Sequence, residues 1–142
     1  MAKLEGKVAI VTGASSGFGR AIAKAFAEEG ARIVCSDIKP DAREGGYETD
    51  IATPTHEAIR KAGGQAVFVK CDVTKVNEVK ACVDAAVKTY GRLDIMMANA
   101  GGATSMSKIH ETTEEEYDFT MGVNIKGVWN SDQQAIARVL EQ

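Results

Sequence analysis

The sequence predicts an α/β fold in which a doubly wound parallel sheet lies between two layers of helices. Short, continuously apolar runs of β-branched residues alternate with segments whose apolar residues recur at helical spacing. Such runs are typical of strands buried on both faces, as they are in parallel sheets. Strict alternation of strands and helices implies right-handed crossovers, with helices on both faces of the sheet. We therefore expect the element order β-α-β-α-β-α-β-α-α.

The first strand, helix and strand are predicted over residues 7–36. Residues 7–12 form a β-branched run that ends at a glycine, and residues 17–29 carry alanines with Ile22 and Phe26 four positions apart. Gly30 is placed to end this helix, because glycine is common just after helix C-termini. The second apolar strand covers residues 31–36 and ends at Asp37.

The middle of the chain predicts a loop before the next helix and strand. Residues 39–53 are polar, weakly patterned and contain glycines, so we expect a surface loop or insertion. A short helix over residues 56–62 and a third strand over residues 65–70 follow. Thr74 is expected to cap the next helix through its hydroxyl, and valines recur along that helix up to Tyr90 at the spacing of one buried face.

The last part of the chain predicts a strand, a glycine-bearing loop and two helices. The fourth strand covers residues 93–98. Thr112 or Thr113 then opens an acidic helical start, which the peptide dipoles at a helix N-terminus favour. The final helix carries apolar residues at helical spacing between Ile125 and Leu140.

Composition narrows the classes of function. The 142 residues suit one domain, since domains most often have about 100–150 residues, and we expect residues 1–142 to form one domain. A formal net charge of -3 without a basic patch argues against a nucleic-acid partner. No run approaches the ~18–20 apolar residues of a membrane span, and the short polar N-terminus predicts no secretory signal.

The cysteines and histidines predict neither a disulfide framework nor a metal site. Cys35, Cys71 and Cys82 are odd in number and far apart, which favours a reducing, cytoplasmic compartment. Cys35 and Cys71 lie near strand ends, where we expect them to be buried as small apolar side chains. The two histidines have no neighbours at metal-ligand spacing.

Three glycines between the first strand and the first helix predict a dinucleotide site of the Rossmann type. Gly13 permits a tight turn, Gly17 lets backbone approach a pyrophosphate, and Gly19 lets the helix pack against the strand. The helix N-terminus offers free N–H groups to the phosphates. The alternative is a glycine-rich turn without a ligand. The expected contacts to the cofactor come from Gly13, Ser15, Ser16, Gly17, Phe18 and Gly19.

Asp37 is the residue from which the cofactor preference is predicted. It lies 18 residues after Gly19, where a carboxylate accepts hydrogen bonds from the adenosine ribose hydroxyls, with Ile38 beside it. The carboxylate would repel a 2′-phosphate, so the sequence predicts NAD in preference to NADP. Lys39 lies close by and would soften this preference, and the alternative is a carboxylate that only starts the loop.

The spacing Gly-x-x-x-Gly-x-Gly resembles that of the short-chain dehydrogenase/reductase family, and the resemblance covers nearly the whole chain. Asp72 and Val73 are similar to the family's adenine-contacting pair. Residues 99–101 resemble the segment in which Asn99 steadies the sheet while the backbone of Ala100 and Gly101 lies under the cofactor. The family usually has two asparagines there, whereas Ala98 stands in place of the first.

The resemblance implies an oxidoreductase that transfers a hydride between the nicotinamide and a secondary alcohol or ketone. A tyrosine exchanges the proton, a lysine four residues later lowers the tyrosine's pKa, and a serine on the fifth strand orients the substrate oxygen. Asn124 is similar to the fourth member of this tetrad, which holds a water in the proton path to the lysine. The family often pairs through its helices, which implies a homodimer or homotetramer for an intact protein.

No tyrosine of this sequence has a lysine four positions later. The three tyrosines are Tyr47, Tyr90 and Tyr117, and the residues at those positions are Ile51, Asp94 and Met121. We therefore expect a fragment that stops before the serine, tyrosine and lysine and that is inactive by itself. The fourth strand would then be an apolar sheet edge, and the final helix would expose Trp129 or its Ile and Val face.

Two other interpretations remain open at this point. The chain is a complete, non-catalytic dinucleotide-binding module, or the family's scaffold performs a non-redox reaction such as dehydration. Ser105 and Ser107 either border a substrate pocket or, as we favour, belong to a solvated loop.

Overall fold

The computed structural model describes residues 2–104 and 106–142. Within them, four parallel strands form one sheet in the order β3-β2-β1-β4. The strands are β1 (Val8–Thr12), β2 (Arg32–Asp37), β3 (Gln65–Lys70) and β4 (Ile95–Met97). The helices are α1 (Gly17–Glu28), α2 (Thr55–Lys61), α3 (Val76–Tyr90), α4 (Glu114–Met121) and α5 (Gly127–Leu140), with a π-helical segment at Gly122–Lys126 and a 3₁₀ turn at Ile109–Glu111.

The two faces of the sheet are covered by different helices. On one face, Ala9, Val11 and Ile33 pack with residues of α1 and α2. On the other face, Ile10 and Val34 pack with residues of α3 and α5. Alternate residues of β1 thus enter opposite cores, and this confirms the predicted three-layer α/β architecture with a doubly wound sheet.

The helix starts follow the predicted chemistry at one threonine and not at another. Thr113 caps α4: its hydroxyl accepts from the Glu116 N–H, and the Glu116 carboxylate accepts from the Thr113 N–H. The prediction that Thr74 caps α3 is wrong. Its hydroxyl donates to Asp72 at 2.7 Å, and Lys75 stands at the helix start instead. The Thr74 hydroxyl binds the Asp72 carboxylate and does not cap the helix, because Asp72 lies only two residues away within a local turn.

Residues 38–54, which include the loop predicted over residues 39–53, contain neither helix nor strand. β4 is shorter than its predicted span of residues 93–98. At its start the Leu93 N–H and carbonyl pair with the Gln142 side-chain amide at 2.9 and 2.8 Å. At its end the Asn99 N–H donates to the Met97 carbonyl and turns the chain out of the sheet.

β4 is the edge of the sheet in the described residues, as predicted, since it pairs with β1 only. The helices that follow it expose large apolar side chains. Both Trp129 and the face of Ile and Val residues, which were predicted as alternatives, are exposed. Trp129 is 65% exposed, and Ile136 and Val139 are also exposed. No helix among residues 2–104 and 106–142 is both long enough and apolar enough to span a membrane.

Candidate functional site

The sequence-predicted residues gather at the carboxyl edge of the sheet, because all four strands are parallel. The chain moves from β1 to β2 and β3 on one side, while β4 lies on the other side of β1. Ligands of open α/β sheets bind in the crevice that such a reversal of strand order creates. Here the turn after β1 and the segment after β4 border that crevice.

The glycine turn is packed too closely for side chains at two of its positions. Gly13 has φ +65° and lies against the segment after β4, where an added Cβ would stand 2.9 Å from the Ala100 Cα. An added Cβ at Gly19 would overlap the Gly13 carbonyl oxygen. The first turn of α1 therefore lies directly on the end of β1.

The start of α1 offers three backbone N–H groups that have no partner within the helix. The first helical hydrogen bond runs from the Arg20 N–H to the Ser16 carbonyl at 3.1 Å. The N–H groups of Gly17, Phe18 and Gly19 thus precede the helical ladder, and the Ser16 side chain does not cap them. Phe18 is 84% exposed beside them. This arrangement fits an anionic group such as a pyrophosphate.

Asp37 is held at the end of β2 by two backbone donors. One carboxylate oxygen accepts from the Ser15 N–H at 3.0 Å and the other from the Ile38 N–H at 2.8 Å. The Ser15 hydroxyl donates to the Lys39 carbonyl at 2.7 Å, so the start of the following loop is joined to the glycine turn. The Asp37 carboxylate is therefore oriented at the rim of the crevice.

The loop of residues 38–54 crosses the start of α1. The Glu48 carboxylate accepts from the Gly17 N–H, and this hydrogen bond lowers the pKa of the Glu48 carboxyl. The Arg43 N–H donates to the Ser16 hydroxyl. Arg20 is buried and donates to the Asp50 carbonyl at 3.0 Å and to Thr55 at 3.1 Å. The sequence analysis did not predict these contacts.

Asp72 and Val73 follow β3 on the same edge of the sheet. Burial by itself would raise the pKa of the Asp72 carboxyl. The hydrogen bonds from the Thr74 hydroxyl and N–H and the charge of Lys75 outweigh this effect, so that the pKa is lowered overall. Val73 is buried, and its carbonyl accepts from the Asn130 side chain at 2.8 Å. The pair is thus fixed between the end of β3 and α5.

Asn99 and Thr12 join the ends of the neighbouring strands β1 and β4. The Asn99 side-chain N–H group donates to the Thr12 carbonyl at 3.0 Å. The Thr12 hydroxyl donates to the Met97 carbonyl at 3.3 Å and accepts from the Ala100 N–H at 2.9 Å. These bonds hold the backbone of the segment after β4 beside the glycine turn.

Asn124 lies in the π-helical segment and reaches across to the same backbone. Its side-chain N–H group donates to the Gly102 carbonyl at 2.6 Å and to the Thr120 carbonyl at 2.8 Å, while its oxygen accepts from the Gly102 N–H at 3.3 Å. The oxygen would stand 2.7 Å from a Cβ added at Gly101. Single π-helical turns inside helices occur often at functional sites. Sequence periodicity gave no sign of this segment.

The predictions for the serines and the cysteines concern other parts of the chain. Ser107 belongs to an exposed loop, and Ser105 lies outside the described residues. Cys35 and Cys71 are buried as predicted, Cys82 is buried too, and burial raises the pKa of the Cys35 thiol to about 12. Among residues 2–104 and 106–142, no group of three or more His, Cys, Asp or Glu side chains is placed to hold a metal ion.

Comparison with known proteins identifies the family. The family model described as short chain dehydrogenase matches residues 7–142. The chain belongs to the short-chain dehydrogenase family. An uncharacterized oxidoreductase of Methylorubrum extorquens is 43% identical over 135 residues, which are 95% of this chain and 51% of that protein. The (-)-trans-carveol dehydrogenase of Rhodococcus erythropolis is 36% identical, over 99% of this chain and 52% of that protein.

Solved structures of short-chain dehydrogenases have the same fold. A short-chain type dehydrogenase/reductase from Mycobacterium marinum superposes with a TM-score of 0.86 at 30% identity, over 98% of this chain and 52% of that chain. A short chain dehydrogenase from Mycobacterium avium superposes with a TM-score of 0.84 at 35% identity, over 97% of this chain and 47% of that chain. This short-chain dehydrogenase chain thus spans about half the length of the relatives it matches.

Proposed function

We propose that this chain is the cofactor-binding part of an NAD-dependent oxidoreductase that interconverts a secondary alcohol and a ketone. The observation that carries the proposal is the start of α1. Three backbone N–H groups lie ahead of the helical ladder there, beside glycines packed against the end of β1. Membership of the short-chain dehydrogenase family supports the reaction class. The bound nicotinamide would supply the hydride acceptor or donor.

Each segment at the carboxyl edge has its own part in this proposal. The glycine turn and the serines beside it bind the pyrophosphate through N–H and hydroxyl groups. Asp37 and Ile38 border the adenosine ribose, and Asp72 with Val73 borders the adenine. The backbone of residues 99–101 lies under the nicotinamide end, where Asn99 holds it against β1.

Asn124 is proposed as the chain's contribution to the proton path. Its side-chain amide is engaged with Gly102 and Thr120. It therefore holds the segment after β4 in place at the nicotinamide end. The 142 residues contain no tyrosine with a lysine four positions later. We therefore propose that they bind cofactor but do not turn over substrate by themselves.

NAD is proposed over NADP because the Asp37 carboxylate is anchored by two backbone N–H groups. A carboxylate in a fixed position keeps its charge near the ribose 2′ position, where a phosphate would be repelled. Titration with NADH and NADPH, followed by nucleotide fluorescence, tests this. We expect NADH to bind at least about tenfold more tightly, a difference of about 1.4 kcal/mol.

The matched variants for this test are Asp37→Asn and Asp41→Asn. Asp41 is an exposed carboxylate of the same loop, so it controls for net charge. We expect Asp37→Asn to narrow the difference between NADH and NADPH, and Asp41→Asn to leave it unchanged. Equal binding of the two nucleotides by the unsubstituted protein would show that the NAD preference is wrong.

The remaining proposals concern the setting of the protein. We propose that residues 1–142 form one domain, that its substrate is a small alcohol or ketone, and that neither nucleic acid nor a membrane is a partner. The exposed apolar face of α4 and α5 supports a homodimer or homotetramer of the intact protein. Three buried cysteines support a cytoplasmic, reducing compartment.

A further inference from the structure

The loop between β2 and α2 (residues 38–54, the β2–α2 loop) brings an anion of the protein itself to the start of α1. The Glu48 carboxylate accepts from the Gly17 N–H, the first of the three N–H groups that precede the helical ladder. Those N–H groups are the donors proposed for the pyrophosphate. A carboxylate and a phosphate would therefore compete for the same donor.

The loop is fastened on both sides of this contact. The Arg43 N–H donates to the Ser16 hydroxyl, one residue before Gly17. On the other side the buried Arg20 side chain donates to the Asp50 carbonyl and to Thr55, whose hydroxyl donates to the Ala14 carbonyl at 2.7 Å. The glycine turn and the first turn of α1 thus contact the loop through residues 15, 16, 17 and 20. The Glu48 contact is held by neighbouring bonds and is not made by one isolated side chain.

The Glu48 carboxylate is only half satisfied at this position. Its second oxygen is buried and has no hydrogen-bond partner in the described residues. A buried acceptor without a partner is costly. A phosphate group, which presents several oxygens to the successive N–H groups of a helix start, would use this site more completely.

We propose that the β2–α2 loop is autoinhibitory: Glu48 occupies the phosphate-binding start of α1, and the cofactor must displace it to bind. This rests on the proposed cofactor site. The loop would then lower the affinity for any ligand that places a phosphate on Gly17, and it would leave ligands without a phosphate unaffected.

Two variants weaken the contact by different means, since an amide oxygen still accepts a hydrogen bond but less strongly than a carboxylate. Glu48→Gln removes the charge and keeps the shape. Gly46→Ala keeps the charge, but the new Cβ would overlap the unpartnered Glu48 oxygen and move the carboxylate. Gly46 is not among the glycines with positive φ, so alanine is allowed by its backbone. Glu44→Gln removes an exposed charge from the same loop and is the matched control.

The experiment measures binding of ADP and of adenosine to the full chain and its variants by calorimetry. We expect Glu48→Gln and Gly46→Ala each to bind ADP about 5–10-fold more tightly, which corresponds to about 1.0–1.4 kcal/mol. The affinity for adenosine should not change in either variant. The Glu44→Gln control should bind ADP as tightly as the unsubstituted protein does. In the ligand-free protein, hydrogen exchange of the Gly17 amide should be slow and should become faster in both variants.

The outcomes separate this inference from the proposed function. Unchanged ADP affinity in both variants would overturn the autoinhibitory role while leaving the cofactor site in place. Tighter binding in Glu48→Gln alone, with unchanged Gly17 exchange, would mean a charge effect and would also overturn it. If ADP and NADH bind to none of the proteins, the proposed cofactor site itself is wrong.

Discussion

The strands β1 and β4 are neighbours in the sheet and have different environments. Every residue of β1 is buried, and the strand pairs with β2 on one side and β4 on the other. β4 has three residues, all only half-buried, and pairs with β1 alone in the described chain. The helix that follows β1 covers the sheet, whereas α4 and α5, which follow β4, expose Tyr117, Trp129 and Leu140.

The difference shows which part of the sheet is paired and covered on both sides within residues 2–104 and 106–142. The β1 side has helices on both faces and pairs on both edges, so its apolar area is removed from water. In the part of the chain that the structure describes, the β4 side has an open edge and an uncovered apolar face, which are features that invite pairing with further protein. The chain spans about half the length of its relatives. We expect substitutions on the two sides to change the free energy of unfolding by different amounts.

The largest expected effect comes from shortening one side chain in each strand. Ile10 and Met96 are register partners, and both contact the core beneath α3. Ile10→Ala should cost about 3 kcal/mol of unfolding free energy, because a fully buried side chain leaves a cavity. Met96→Ala should cost about 1 kcal/mol, because its site is half-exposed and can relax. Urea denaturation of both variants measures the difference, and equal losses would contradict the comparison.

The next effect concerns the bond network that fastens the start of β4 to β1. Asp94 accepts from the Val8 N–H at 2.9 Å, forms ion pairs with Arg92 and Lys7, and its side chain is 10% exposed. Asp94→Asn should cost about 2 kcal/mol, because it weakens charge-assisted bonds at a largely buried position. Asp84→Asn, on an exposed helix position, is the control and should change unfolding free energy by less than about 0.5 kcal/mol.

The same carboxylate predicts how stability depends on pH. Burial by itself would raise the pKa of Asp94. Arg92, the Val8 N–H and Lys7 outweigh this effect, so the folded-state pKa lies below the usual value. A lowered folded pKa adds stability above the unfolded pKa of about 3.9, and this stability is lost as the pH falls through the folded pKa. The stability of Asp94→Asn should therefore fall less steeply below about pH 5. A parallel loss in both proteins would show that Asp94 does not contribute.

A smaller effect is expected at the start of α4, on the exposed side of the molecule. Thr113→Ala removes the capping box with Glu116 and should cost about 1 kcal/mol, with some loss of helical circular dichroism. Thr113→Ser keeps the hydroxyl and should preserve most of the stability. Indistinguishable melting curves for the two variants would show that the cap is unimportant in solution.

The smallest effect on stability is expected on the exposed face of α5. Trp129 is 65% exposed, so Trp129→Gln should change unfolding free energy by less than about 0.5 kcal/mol. It should nevertheless reduce self-association, measured by analytical ultracentrifugation, because it interrupts the apolar face. Gln133→Ala, on the same helix and polar, is the control. Unchanged association in Trp129→Gln would argue against this face as the site of self-association.

Much of the fold could be predicted because its signals are local. The apolar runs of β1 and β2, Gly30 after the first helix, and the glycine turn each depend on residues close together in the chain. The prediction failed where two local options compete, as at Thr74, whose hydroxyl binds Asp72 instead of starting α3. The prediction also overestimated the length of β4, because the backbone N–H and carbonyl of Leu93 form hydrogen bonds with the Gln142 side chain.

By itself, the sequence determined the strand and helix order, the buried character of β1 and the family, because periodicity and a spaced glycine motif are carried by the chain directly. Only the tertiary structure decided what meets at the carboxyl edge of the sheet. The contact of Glu48 with Gly17 and the reach of Asn124 to Gly102 join residues that are 31 and 22 positions apart. Such contacts depend on the path of loops and on a π-helical turn, and neither has a periodic signature in the sequence.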